Sequence, residues 1–124
     1  MTLFDECREA LSADFDMVEG QREKQVIDIL NKYPMAKGNV IWSEIKYSDY
    51  ENITDLLSAM SIKNDDVFVF TDDVSIPVFR SKLSLIAENI YDVTALSPKL
   101  FIFNDYMIIQ PLFPTDMFRL GIKE

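Results

Sequence analysis

The chain contains no histidine, a single cysteine, and only 12 lysines and arginines against 21 aspartates and glutamates. The absence of histidine removes the usual general base of serine and cysteine hydrolases and the commonest metal ligand in proteins. Cys7 cannot form an internal disulfide, and a lone thiol is typical of a reducing compartment. These absences favour a binding protein over an enzyme, and they predict that no cofactor is required.

Long apolar runs are also missing from the sequence. No segment approaches the 18 or so consecutive apolar residues that a membrane-spanning helix needs. The first ten residues, MTLFDECREA, carry early acids and no extended apolar stretch, unlike a secretory signal. We therefore expect a cytoplasmic protein with no membrane segment.

The charge is strongly negative, with a formal value of −9 at pH 7, and it is unevenly distributed along the chain. Between residues 49 and 73 the only base is Lys63. Crowded like charges oppose folding, and this arrangement favours a surface that meets a positively charged partner. Nucleic acid and anionic membranes would be repelled. The acids of this segment are Asp49, Glu51, Asp55, Asp65, Asp66, Asp72 and Asp73.

Length and composition predict one domain over residues 1–124, since 48% hydrophobic residues is ordinary for a globular core. Three glycines and five prolines predict short, defined loops. Cys7 lies in a helical pattern beside Phe4 and Leu11, and we expect it to be a small core residue.

Four helices are predicted. Thr2 is a suitable N-cap for the first helix, and the second fits residues 18–33 and stops at Pro34. Asn52 caps a short third helix whose apolar face includes Leu56. In the fourth, Ser75 is the predicted cap, and the apolar residues recur at helical spacing as far as Tyr91. That apolar face consists of Phe79, Leu83, Ile86 and Ile90.

Strands are predicted at residues 39–47 and 67–70, and the second run is apolar enough for a central strand covered on both faces. Residues 100–103 and 106–110 predict a hairpin with Asn104-Asp105 as its loop, and residues 117–122 predict a final strand or a packed tail. We expect an α/β or α+β fold with a mixed central sheet of four to five strands. An N-terminal helical pair and further helices would pack on it, with some parallel pairing from the strand–helix–strand segments.

Two patterns could carry metal chemistry. Glu44 and Lys46, if both lie on one strand face, resemble half of a metal-dependent nuclease site. The pairs Asp65-Asp66 and Asp72-Asp73 flank a predicted strand and could hold Mg²⁺. Each pattern also describes ordinary solvated residues, so both remain alternatives to a surface that binds protein.

From Val67 onward the sequence resembles immunity proteins of contact-dependent growth inhibition systems. The resemblance covers roughly residues 65–112. It consists of an apolar strand ending in paired acids, an x-x-Pro step, a helix, an x-Asp-Val corner and a Ser-Pro start to a hairpin. These features are Phe68 to Asp73, Ile76-Pro77, Leu83 to Ile90, Asp92-Val93 and Ser97-Pro98.

This resemblance implies a small, cytoplasmic, non-catalytic protein that binds the toxin domain of an exoprotein and covers its active site or substrate channel. The toxin would be a basic protein, often a nuclease. Tyrosine beside carboxylate is a common interface composition, and Trp42 could add a further anchor. The expected toxin-binding residues are Tyr47, Asp49, Tyr50, Glu51, Asp55, Asp65, Asp66, Asp72 and Asp73. An acidic adaptor or regulator that binds another protein is the alternative function.

Overall fold

The structure is a computed structural model that describes residues 2–60 and 66–122. Its helices are α1 (Leu3–Ala10), α2 (Gln21–Asn31), α3 (Ile53–Ala59), α4 (Leu83–Glu88) and α5 (Ile90–Thr94), with a 3₁₀ turn at Trp42–Glu44. Its strands are β1 (Phe15–Met17), β2 (Met35–Ala36), β3 (Asn39–Val40), β4 (Lys46–Tyr50), β5 (Asp66–Thr71), β6 (Phe79–Lys82), β7 (Leu100–Phe103), β8 (Met107–Pro111) and β9 (Phe118–Ile122).

Seven strands form one sheet in the order β1-β6-β5-β7-β8-β9-β4, and β2 and β3 form a separate two-stranded ribbon. Every strand pair among the described residues is antiparallel. The sequence led us to expect four to five strands with some parallel pairing, and both expectations were wrong. The fold is α+β, because neighbouring strands of the sheet are antiparallel and no helix connects two adjacent parallel strands among the described residues.

Both faces of the sheet are covered. One face packs against α1, α3, α4 and α5, which we call the helical layer, through a core that includes Cys7, Leu56 and Ile86. The other face packs against α2 and the ribbon, and its core includes Leu30, Phe101 and Phe103. This sandwich explains the apolar β5 run, whose alternate residues enter opposite cores as predicted.

The N-terminal helices are therefore not a packed pair, because α1 and α2 lie on opposite faces of the sheet. The predicted helix over residues 18–33 begins only at Gln21, and β1 precedes it as an edge strand that pairs with β6. The strand predicted over 39–47 is also broken. Residues 39–40 belong to the ribbon, the 3₁₀ turn follows, and β4 then runs from Lys46 to Tyr50.

The helix predicted from Ser75 begins only at Leu83 and gives way to α5 after Asn89. Residues 79–82 form strand β6 instead, with Phe79 and Ser81 buried and the alternating bases Arg80 and Lys82 less so. Phe79 satisfies both a helical and a two-residue repeat, so the helical spacing alone was misleading.

The hairpin at residues 100–111 is confirmed, but its loop is shifted by one residue. The backbone N–H of Asn104 donates to the carbonyl of Met107 at 3.0 Å, which leaves Asp105 and Tyr106 in the turn. The buried Asn104 side chain accepts hydrogen bonds from the backbone of Tyr106 and Met107, at 2.8 and 3.1 Å. This side chain closes the turn, and no residue of the turn has a positive φ angle.

The two predicted caps of the short helices are confirmed. Thr2 and Asp5 form a reciprocal capping box at α1, and the Asn52 side chain accepts from the backbone N–H of Asp55 at α3. Cys7 is fully buried in the helical-layer core, and this burial raises the pKa of its thiol to about 12.

Candidate protein-binding surface

Strand β4 forms one edge of the sheet and carries three of the predicted binding residues. Asp49 lies opposite Arg119 on β9, and its two carboxylate oxygens accept from that guanidinium at 2.7 and 3.0 Å. The same guanidinium lies 4.5 Å from the ring centre of Tyr47 and 5.5 Å from that of Trp42. This bidentate hydrogen bonding lowers the pKa of Asp49. Asp49 is therefore already neutralised within the chain.

Asp66 is also engaged internally, at the start of β5. Its carboxylate accepts from Arg80 at 2.6 Å and lies 3.0 Å from the ammonium of Lys82. The hydrogen bond from Lys82, with the charge of Lys82 and Arg80, lowers the pKa of Asp66. Arg80 also binds Asp14 and Asp16 of the neighbouring β1 segment. This arrangement is typical of a structural ion-pair network rather than of an open binding site.

Four of the other predicted acids, Glu51, Asp55, Asp72 and Asp73, lie at one end of the sheet. Four successive antiparallel pairings lead from β5 through β7, β8 and β9 to β4. Strands β5 and β4 therefore run in the same direction, and their carboxyl ends lie at the same end of the sheet. Asp72 and Asp73 follow β5, and Glu51 follows β4, about 19 Å away at the usual strand spacing. Asp55 is exposed in the first turn of α3, just beyond Glu51. The side chain of Asp73 accepts from both the backbone and the hydroxyl of Ser75, which lowers its pKa.

The acids of residues 49–73 therefore do not form one continuous face, contrary to our expectation. Asp66 lies at the opposite end of β5 from Asp72, about 20 Å away for a strand of this length. Asp49 and Asp66 are ion-paired, whereas Glu51, Asp55 and Asp72 are exposed. Asp65 lies outside the described residues.

A second concentration of negative charge lies on the helical layer, and the sequence analysis identified only Asp55 among its acids. The four helices of this layer carry six acids and one base, Arg8, among their described residues. Helix α2, on the opposite face, carries two acids and two bases. The helical-layer acids are separated along the chain, so only the packing of α1 against α5 and of α3 against α4 brings them together. They are Asp5, Glu6, Glu9, Asp55, Glu88 and Asp92.

A groove of about 420 Å³ opens where the helical layer meets the acidic end of the sheet. We call it the α3–α5 groove, and its walls are the start of α3, the α4–α5 corner and the β8–β9 loop. Tyr91 and Phe113 line it and are 75% and 44% exposed. Glu88 and Asp116 also line it, whereas no lysine or arginine does so among the described residues. The groove thus combines exposed aromatic surface with uncompensated negative charge.

The geometry gives little support to the two metal-binding alternatives. Glu44 lies in the 3₁₀ turn and Lys46 begins β4, so the two residues do not share a strand face as the nuclease pattern would need. Within residues 2–60 and 66–122, no group of three or more potential ligands is placed to hold a metal ion. The Asp72-Asp73 pair instead belongs to a loop in which Asp73 caps a turn.

Among the helices in the described part of the chain, none has the length and apolar character needed to cross a bilayer.

Comparison with known proteins gives a match to one family. A comparison with curated proteins finds no match. The profile of the family described as CdiI immunity protein EcoliA0-like matches residues 1–121. That match extends the resemblance seen at residues 65–112 to nearly the whole chain, including α1, the ribbon and β4. The protein therefore belongs to this family of contact-dependent growth inhibition immunity proteins.

Proposed function

We propose that this protein binds and neutralises the C-terminal toxin domain of a contact-dependent growth inhibition exoprotein, and that this toxin is a cationic nuclease. The family match over residues 1–121 carries the toxin-neutralising part of the proposal. The net charge of −9 and the acidic helical layer support the cationic character of the partner. On this proposal the protein acts by binding and not by catalysis.

The mechanism is competition with the negatively charged substrate of the toxin. A nuclease holds phosphates with lysine and arginine, and a surface of fixed carboxylates can occupy the same positions. The protein would thereby cover the active site or the substrate channel. The negative field also steers encounter and raises the association rate, by roughly 10–10³-fold in known cases.

From the residues predicted by sequence, we propose direct contact for those that are exposed and not ion-paired. These include Tyr47, which is 46% exposed on the edge strand β4. Asp49 would contribute by holding Arg119 against Tyr47, and Asp66 by holding β5, β6 and β1 together. The proposed contact acids are Glu51, Asp55, Asp72 and Asp73.

The test is co-expression with the C-terminal domain of the exoprotein that is encoded beside this chain. We expect the toxin domain alone to arrest growth, and the wild-type protein to restore it and to form a complex at equimolar ratio. The purified toxin domain should degrade RNA or DNA, and one equivalent of this protein should stop that degradation.

Failure to restore growth, together with failure to bind, would overturn the proposal. Binding without any loss of toxin activity would instead favour the adaptor function. A toxin domain with no nuclease activity would remove the nuclease part of the proposal and leave neutralisation intact.

A further inference from the structure

We propose that the α3–α5 groove is the specific recognition site for a segment of the toxin domain that carries an arginine beside an apolar side chain. This inference rests on the proposed function, because it names the chemistry of the partner that this surface accepts. None of the predicted binding residues lines the groove, although Glu51 and Asp55 flank it in sequence.

The apolar part of the segment would contact the floor and the aromatic rim. Buried side chains of Ile53 and Phe118 form the floor, and they are 5% and 6% exposed. Tyr91 and Phe113 lie at the rim, where Tyr91 is mostly exposed and Phe113 is nearly half exposed. Large aromatic residues around a concave apolar centre are where the binding energy of protein interfaces concentrates.

The charged part of the segment would meet the two carboxylates that line the groove. Glu88 and Asp116 come from different elements, the end of α4 and the β8–β9 loop, and both are exposed. Neither forms a salt bridge with another described residue. This contrasts with Asp49 and Asp66, whose charge is already compensated by arginine within the chain.

The charge of this groove also distinguishes it from two others on the molecule. A groove of about 500 Å³ beside the 3₁₀ turn has Lys32, Glu44 and Lys46 in its lining, so it carries charges of both signs. A groove of about 480 Å³ along β4 has Lys46 as its only charged lining residue among those described. The α3–α5 groove therefore has the selective negative potential that a cationic segment requires.

Arginine fits this groove better than lysine. A guanidinium is planar, donates five hydrogen bonds in fixed directions and stacks on aromatic rings. It could bind a carboxylate on one side while its plane lies on Tyr91. The protein already uses this chemistry at Arg119, which binds Asp49 and lies over Tyr47.

A second copy of the chain is a poorer occupant. In a symmetric dimer the same patch of each copy faces the other, so the two acids of one groove would face the two acids of the other. Two chains of net charge −9 also repel each other. A cationic partner avoids both kinds of repulsion, and charge complementarity therefore favours a cationic partner over a second copy of the chain.

The test measures binding of a catalytically inactive C-terminal domain from the neighbouring exoprotein. The double variant Glu88→Gln with Asp116→Asn removes both groove charges and preserves side-chain size. The matched control is Glu23→Gln with Asp28→Asn, which removes two exposed carboxylates from α2 on the opposite face. We expect the groove variant to raise Kd by about tenfold or more, and the control by less than about twofold.

Two single variants test the shape and occupancy of the groove. Tyr91→Ala should raise Kd by about tenfold, since it removes an exposed aromatic without disturbing the core. Thr94→Arg places a cation of the chain itself in the groove and should also weaken binding. Circular dichroism melts must show that each variant is folded, and the control excludes a general effect of charge.

Three outcomes would overturn the inference. The groove variants could bind as tightly as wild type while wild type restores growth, which would leave the proposed function standing. Sedimentation could show a wild-type dimer that the groove variants dissociate, which would make the groove an interface between copies. Wild type could neither bind nor restore growth, and the proposed function would then fail together with this inference.

Discussion

At the scale of single residues, Arg80 is the centre of an ion-pair network that joins β1, β6 and β5. Its side chain is 13% exposed, and its guanidinium contacts the carboxylates of Asp14, Asp16 and Asp66. Hydrogen bonds from Arg80, to Asp14 first and then to Asp16, raise the pKa of Arg80. Without this cation Asp14 and Asp16 would lose their ion-pair partner, and Asp66 would retain only Lys82.

Replacing Arg80 with methionine should therefore destabilise the fold, because it removes the charge and keeps only an unbranched apolar side chain. We expect a loss of about 1–3 kcal/mol in the free energy of unfolding, which is less than for a fully buried pair because the three acids are partly exposed. Urea unfolding at pH 7 measures this loss. The control is Arg22→Met on the exposed face of α2, which should change stability by less than about 0.5 kcal/mol.

The same comparison should depend on pH in a defined direction. The folded pKa of Asp66 is lowered, first by Lys82 and then by Arg80, so its ionised form stabilises the native state above the unfolded pKa of about 3.9. That contribution is lost as the pH falls through the lower folded value. The difference in the free energy of unfolding between wild type and Arg80→Met should thus decrease below about pH 4. An increase in that difference there would contradict this assignment.

At the scale of elements, the 3₁₀ turn determines how the edge strand β4 joins the sheet. The turn packs onto β9 at Gly121, where a Cβ atom would lie 2.9 Å from the ring of Trp42 and 3.0 Å from the side chain of Ile45. The indole N–H of Trp42 donates to Gln110 at 3.1 Å, which fixes the ring in place. Glycine at 121 thus permits close contact between the turn and the sheet.

Gly121→Ala should push the 3₁₀ turn away from the sheet. We expect a loss of about 1–3 kcal/mol in the free energy of unfolding, the usual cost of overpacking a well-filled site. Since Trp42 is the only tryptophan, its emission should shift to longer wavelength in the folded variant. Ser48→Ala, on the exposed face of β4, is the control and should leave the emission unchanged. Unchanged emission and stability in Gly121→Ala would show that the ring moves aside freely.

At the scale of the whole molecule, the two layers differ in charge. The helical layer is strongly acidic, whereas α2 has equal numbers of acids and bases. A molecule with charge on one side orients as it approaches a partner of opposite sign. The direction of approach should therefore be set by the helical layer before any specific contact forms.

Removing charge from α1 should consequently slow association with the inactive toxin domain. Glu6→Gln with Glu9→Gln should lower the association rate constant about two- to fivefold at low salt, and the difference from wild type should vanish near 0.5 M salt, where the Debye length is only a few ångströms. Stopped-flow measurements at several salt concentrations test this. Glu19→Gln with Glu23→Gln, near the start of α2, is the matched control. A larger effect of the control pair would place the approach on the other layer.

The sequence by itself determined the features that depend on neighbouring residues. The capping box at Thr2, the cap at Asn52 and the buried position of Cys7 follow local patterns, as do the apolar strand β5 and the terminal hairpin. The family resemblance at residues 65–112 was local as well, and the match over residues 1–121 extends it.

The tertiary structure alone decided which residues meet. Phe79 fits a helix and a strand equally well, and its pairing partners on β1 and β5 selected the strand. Asp49 and Asp66 looked like free surface acids because Arg119 and Arg80 lie 70 and 14 residues away in the chain. The acidic helical layer combines residues from α1, α3, α4 and α5, since electrostatic potential depends on distance in space and not on separation in sequence.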